Sequence, residues 1–137
     1  MDLQQAKQIL KNGQYTCVLC KDGHTVTSYQ RGVAPLMGFW EHQTDLSGYS
    51  AADKVVGKGT ALLYCLLGVK ALYANVMSKP AWQVLNAHGI DTSYGQLVDA
   101  IQNRSGDGLC PIETATISID NPADAPEAIR TALKNLQ

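Results

Sequence analysis

The run V-K-A-L-Y-A-N-V-M, residues 69–77, most constrains the fold. It is nearly continuous in apolar side chains, so it predicts a strand buried on both faces, and such a strand needs a covering layer on each side. Ser78-Lys79-Pro80-Ala81 follows without a break. Serine is a good helix cap and proline suits a first turn, so a helix is expected through Trp82, Val84 and Leu85, stopping at His88-Gly89.

The flanking segments supply the layers. Residues 2 to about 12 predict an amphipathic helix, with Leu3, Ala6, Ile9 and Leu10 on one face and Asn12-Gly13 as its stop. Tyr15–Cys20 and Thr25–Tyr29 are β-rich and flank Lys21-Asp22-Gly23-His24, a hairpin signal. A short helical segment is expected from Arg31 to about His42, then a polar loop from Asp45 to Ser50. Ala51 or Ala52 to Leu67 reads as one helix ended by Gly68. Ile90–Tyr94 reads as a short strand and Gln96–Gln102 as a helix. Periodicity leaves Thr114–Ile119 open between helix and strand, and Pro111 tilts it to helix. Ala123–Leu136 is an amphipathic helix. Helices interleaved with a hairpin and single strands make one α/β sandwich domain, residues 1–137.

Composition narrows the partners. With 45% hydrophobic and 17% charged residues the chain is globular, not disordered. Its formal net charge of -1, with no basic stripe, argues against a duplex nucleic-acid partner but not against a small anion. Residues 1–5, M-D-L-Q-Q, have no basic stretch before an apolar core, and the longest apolar run, Ala61–Leu67, is too short to span a bilayer. A soluble cytoplasmic protein with no membrane partner is expected. The four cysteines then read as reduced thiols. Nothing in the sequence sets the oligomeric state.

Gly57-Lys58-Gly59-Thr60 looks like the end of a phosphate-binding loop. A Walker loop needs glycine where Ala52 stands and a hydroxyl residue where Gly59 stands, and it follows a strand, whereas residues 47–52 read as loop. It is therefore rejected. The two glycines then sit inside a predicted helix, which calls for close packing or for close approach of backbone to a ligand. Lys54 and Lys58, four apart, would project from one side of that helix, and Asp53 would lie near its N-terminus. Cys17-Val-Leu-Cys20 with His24 resembles half a zinc knuckle, but residues 17 and 20 of a strand face opposite ways, so both read as buried small hydrophobes. Trp40 and Trp82 read as core. Cys110-Pro-Ile-Glu113 follows a polar loop bearing Asn103, Arg104 and Asp107. A cysteine at a helix start beside a cation is a candidate nucleophile, and a carboxylate three residues on would share its side of the first turn. A buried structural cysteine with a capping glutamate is the equal alternative.

The stretches RGVAPL (31–36), DKVVGKGTALL (53–63), SKPAWQVL (78–85) and NRSGDGLCPIE (103–113), in this order, resemble a small prokaryotic family of unknown function with a cytidine-deaminase-like fold. The resemblance covers nearly the whole chain. It implies a three-layer α/β/α sandwich with a mixed sheet of about five strands, and no established reaction. True zinc deaminases carry H-x-E at one helix start and P-C-x-x-C at the next. No H-x-E occurs here, Ser78-Lys79-Pro80 lacks cysteine, and Cys110-Pro111 is reversed and later.

In deaminase-like domains two helix N-termini converge on one pocket. The resemblance so implies a pocket that brings Asp53, Lys54 and Lys58 close to Ser78 and Lys79, with Asn103, Arg104, Cys110 and Glu113 at its rim. The expected ligand is a small anionic or nucleotide-like molecule, with no metal and no cofactor. Cys110, Glu113 and Asp53 are the candidate reactive groups, and Lys54, Gly57, Lys58, Ser78, Asn103 and Arg104 the candidate binding residues. A non-catalytic sensor, and a zinc deaminase using Cys110, Glu113 and Asp53 as unusual ligands, stay open beside this reading.

Overall fold

The computed structural model describes residues 2–30, 32–102, 108 and 110–135. Helix α1 (Asp2–Asn12) leads into a hairpin of β1 (Cys17–Lys21) and β2 (His24–Ser28). Asp22 and Gly23 form its two-residue turn, with φ of 49° and 86°. Positive φ at both positions gives the turn the twist that antiparallel strands need. Helix α2 (Ala34–Glu41) follows, then β3 (Ser50–Val56), α3 (Lys58–Leu67), β4 (Ala71–Ser78), α4 (Lys79–Ala87) and β5 (Asp91–Val98). The chain then carries α5 (Pro111–Thr116), a single 3-10 turn (Pro122–Asp124) and α6 (Ala125–Asn135).

The strands form one mixed sheet in the order β2-β1-β3-β4-β5. β1 is antiparallel to β2 and β3, while β3, β4 and β5 run parallel. Leu62, Leu63 and Leu67 of α3 pack with Leu36 and Met37 of α2, Leu85 of α4 and Ile129 of α6 over Cys17, Leu19, Ala51 and Leu72. On the other face Ala6 and Leu10 of α1 pack on Val18, Cys20 and Ala52. The result is the α/β/α sandwich with a five-stranded mixed sheet. Cys17 and Cys20 fall in different clusters, as strand alternation requires, and all four cysteines are free thiols.

Two expected elements differ. Residues 50–56, read as the front of a helix, are strand β3, and the helix starts at Lys58. Parallel pairing of β3 with β4, from Ser50↔Ala71 to Val56↔Met77, overrides the helical preference of Ala51, Ala52 and Lys54. A strand therefore does precede Gly57-Lys58, so that reason for rejecting a Walker loop falls. Ala52 and Gly59 still break the motif, and Val56 brings the strand to Gly57 with no room for a loop. Gln96–Val98, read as helix, is the end of β5, paired with Val76–Ser78. Trp82 is 40% exposed, not core.

Candidate functional site

The β3-α3 and β4-α4 junctions lie side by side at the same end of the parallel strands. Gly57 caps α3 with extended backbone, and Ser78 caps α4, its hydroxyl accepting from Ala81 N–H at 3.2 Å. Both helix N-termini meet Glu113, which α5 brings in from 55 positions away. Glu113 Oε1 accepts from the Lys58 backbone N–H at 2.6 Å, and Ser78 Oγ stands 3.4 Å from the same oxygen. The carboxylate thus satisfies an otherwise orphaned donor of α3 and lies at the positive end of its dipole.

The glycines explain why α5 can come so close. A Cβ on Gly57 would overlap Glu113 Oε1, and one on Gly59 would stand 2.6 Å from Ile112 Cγ2. Only Gly59 is inside the helix, in its first turn, and Gly57 is the cap. Close packing and ligand approach were alternatives from the sequence. Here packing accounts for both residues, although both also line a cleft.

That cleft has a volume of about 400 Å³. Asp53 and Lys54 of β3, Gly57, Thr60, Cys110 and Glu113 line it, and Val33, Val55, Ile101 and Ile112 supply apolar wall. Asp53 is in mid-strand, not at a helix start, and is 7% exposed. Its Oδ2 accepts from Tyr64 Oη at 2.7 Å, and Tyr64 Oη lies 3.2 Å from Cys17 Sγ. Burial pushes the Asp53 carboxyl up to about 7, against the lowering effect of Tyr64 and of the Val55 and Lys54 N–H groups. The Cys17 thiol and Tyr64 phenol are driven well above their ordinary values by the same burial and by Asp53.

Several expected contributors are engaged elsewhere. Lys54 and Lys58 do not share a helix face. Lys54 is an exposed strand residue lining the cleft, whereas Lys58 is buried, with Nζ donating to Ile117 O at 2.7 Å. That bond ties α3 to the C-terminal end of α5. Ser78 is fully buried and acts as a cap. Asn103 and Arg104 lie outside the described residues. Cys110 is half-buried at the cleft and stands at the N-cap position of α5 without a side-chain capping bond, and α5 is a helix of six residues whose dipole is correspondingly small. Among the described residues no three His, Cys, Asp or Glu side chains come together in a group that could hold a metal.

Tyr64 and Cys17 were missed as site residues. Cys17 read as a buried small hydrophobe and Tyr64 was not singled out, because only a strand at Ser50–Val56 brings Asp53 back onto α3 and beside Cys17.

A solved crystal structure of a DUF1893 family protein (TM1506) from Thermotoga maritima matches 98% of this chain and 89% of that one, with 25% identity and a TM-score of 0.84. A dCMP deaminase from the cyanophage S-TIM5, in apo form, aligns over 68% of this chain and 93% of its own, with 12% identity and a TM-score of 0.46, too low to bear on chemistry. No curated protein matches the chain. The family model described as TM1506, domain of unknown function (DUF1893), matches residues 5–133, and the chain belongs to that family.

Proposed function

We propose that this protein binds a small nucleotide-like molecule in the cleft between β3, α3 and α5, without a metal. The observation that carries the reading is the cleft itself: about 400 Å³, mostly apolar, with a buried carboxyl facing a few polar groups. Small-molecule sites have this build, apolar walls for a ring and few polar groups for orientation. The expected anionic character fits the mouth rather than the floor. Lys54 is exposed at the cleft, while the anion-binding N-terminus of α3 already holds Glu113. A charged group of the ligand therefore sits outside, against Lys54.

A thermal-shift screen of nucleosides and nucleotides tests this. Binders should raise the melting temperature, and Lys54→Ala should weaken those carrying phosphate more than those without. No stabilisation by any of them, at millimolar concentration, would sink the proposal.

Whether ligand is turned over depends on Cys110 and Glu113. Glu113 is held by Lys58 N–H and lies beside Ser78, which favours a sensor or regulatory module over catalysis by that carboxylate. Cys110 as nucleophile makes a separate demand. Product should form from a bound ligand, and Cys110→Ala should abolish it while leaving binding in place. A ligand recovered unchanged supports the sensor.

A further inference from the structure

We infer that the inner end of the cleft takes a cationic group, a protonated amine or amidine, held against Asp53 with its apolar body on Val33, Val55, Ile101 and Ile112. The inference rests on the small-molecule reading above and adds the charge of the ligand's inner end.

Asp53 is more than nine-tenths buried, lines the cleft, and has no Lys, Arg or His nitrogen within 4.0 Å among the described residues. A buried carboxylate without a counter-charge is costly, and a desolvated cation placed beside it relieves that cost. Tyr64 holds Oδ2 from α3, with Cys17 behind it, so the carboxyl is oriented by neutral donors that do not cancel its charge. Glu113 lines the same cleft, so the negative potential is shared by two acidic groups. Lys58, the cation nearest in sequence after Lys54, spends its ammonium on Ile117 O. The apolar wall favours an organic cation, and among the described residues Asp53, Glu113 and Cys110 do not come together as a group that could hold a metal.

Tyr64 from α3, with Cys17 from β1 behind it, and the Lys54 and Val55 backbone N–H groups face Asp53; the side chains of Lys54, Thr60, Cys110 and Glu113 line the same cleft. Cys17 and Tyr64 keep their protons through the neutral range, because both are raised. Asp53, pushed up to about 7, does titrate there. A cation favours the ionised carboxyl, so its binding strengthens as pH rises through 7 and releases a proton below it.

Benzamidine, benzamide and benzoate are near-isosteric and differ in charge, so NMR titrations with all three at pH 6 and pH 8 test the inference. At pH 8 benzamidine should bind at least tenfold tighter than the other two. It should lose about tenfold on going to pH 6, the ionised fraction of a carboxyl titrating near 7 falling by that factor. Asp53→Asn should erase both effects. Tighter binding of benzoate, a preference that survives Asp53→Asn, or no pH dependence overturns the inference while leaving a small-molecule cleft in place. Failure of all three probes and of every nucleoside in the thermal screen overturns both. Should Asp53→Asn not fold, the ranking of the probes and the pH dependence in the unaltered protein still decide.

Discussion

Asp53 joins a charge to a core position, and its effect on stability has a definite sign. Its carboxyl has an ordinary value of 3.8 and is raised to about 7 by burial. Between those values the folded chain holds a proton that the unfolded chain has released. The stabilisation is complete below the unfolded value and is lost as pH rises through about 7. A rise of that size corresponds to roughly 4 kcal/mol, as an order of magnitude. Asp53→Asn keeps the shape and the acceptor for Tyr64 but cannot ionise. We expect its melting temperature to match the parent only below about pH 4 and to exceed it by a margin that widens up to pH 8. A parallel pair of melting curves across that range would show that Asp53 does not titrate as described. Lys58 gives the opposite lesson at this scale. A lysine beside two glycines reads as a ligand-binding cation, yet its ammonium closes α5 onto α3 through one backbone carbonyl.

At the scale of elements, the junction of α3 and α5 depends on two missing Cβ atoms. Gly57→Ala drives a methyl into Glu113 Oε1, and overpacking of this kind costs about 1–3 kcal/mol. Glu113→Ala removes the obstacle but leaves the Lys58 N–H without its acceptor, at about 1–3 kcal/mol. The two changes share one cause, so the double variant should be less unstable than the sum of the singles. Additive losses in urea melts would mean that α5 does not pack through this contact. Ser78→Ala belongs here too. Loss of the α4 cap should cost about 1 kcal/mol by the same measurement.

The legibility of these elements follows the same physics. The hairpin, β4, the Ser78 cap and the Pro111 helix start were readable because each carries its determinant locally: turn residues, a continuous apolar run, a cap, a first-turn proline. Strand β3 was not. Ser50-Ala-Ala-Asp-Lys-Val-Val56 has a weak local preference, and its state is decided by pairing with β1 on one side and β4 on the other. That one misreading moved Asp53 and Lys54 onto a helix and hid Tyr64. The resemblance placed Glu113 only at the rim of a pocket, and its bond to the α3 N-terminus was not legible, since no local signal joins residues 55 positions apart.

At the scale of the whole molecule the two faces of the sheet are held unequally. One carries α2, α3, α4 and α6 over a broad core, and α5 packs against α3 on that side. The other carries α1, anchored by Ala6 and Leu10 on Val18, Cys20 and Ala52. Beyond that cluster, α1 has Lys7 over the Tyr73 ring at 4.4 Å and an Asp2–Lys70 pair at 3.8 Å with Lys70 largely in water. Exposed pairs of this kind contribute about 0–1 kcal/mol, so the apolar contacts of Leu10, Ala6 and Ile9 bear most of the attachment, and Leu10 is the largest of them that is buried. Truncating a buried leucine costs about 2–5 kcal/mol, which is comparable to the whole hold of one short helix on its sheet. Leu10→Ala should therefore loosen α1 locally, ahead of global unfolding. In native-state hydrogen exchange the α1 amides should lose protection by two orders of magnitude or more, while β3, β4 and α3 keep most of theirs. Asp53, α3 and α5, which build the floor of the cleft, lie on the opposite side from α1, so the cleft should then still bind its ligand. A uniform fall in protection across both faces would show instead that α1 and the main core unfold as one unit.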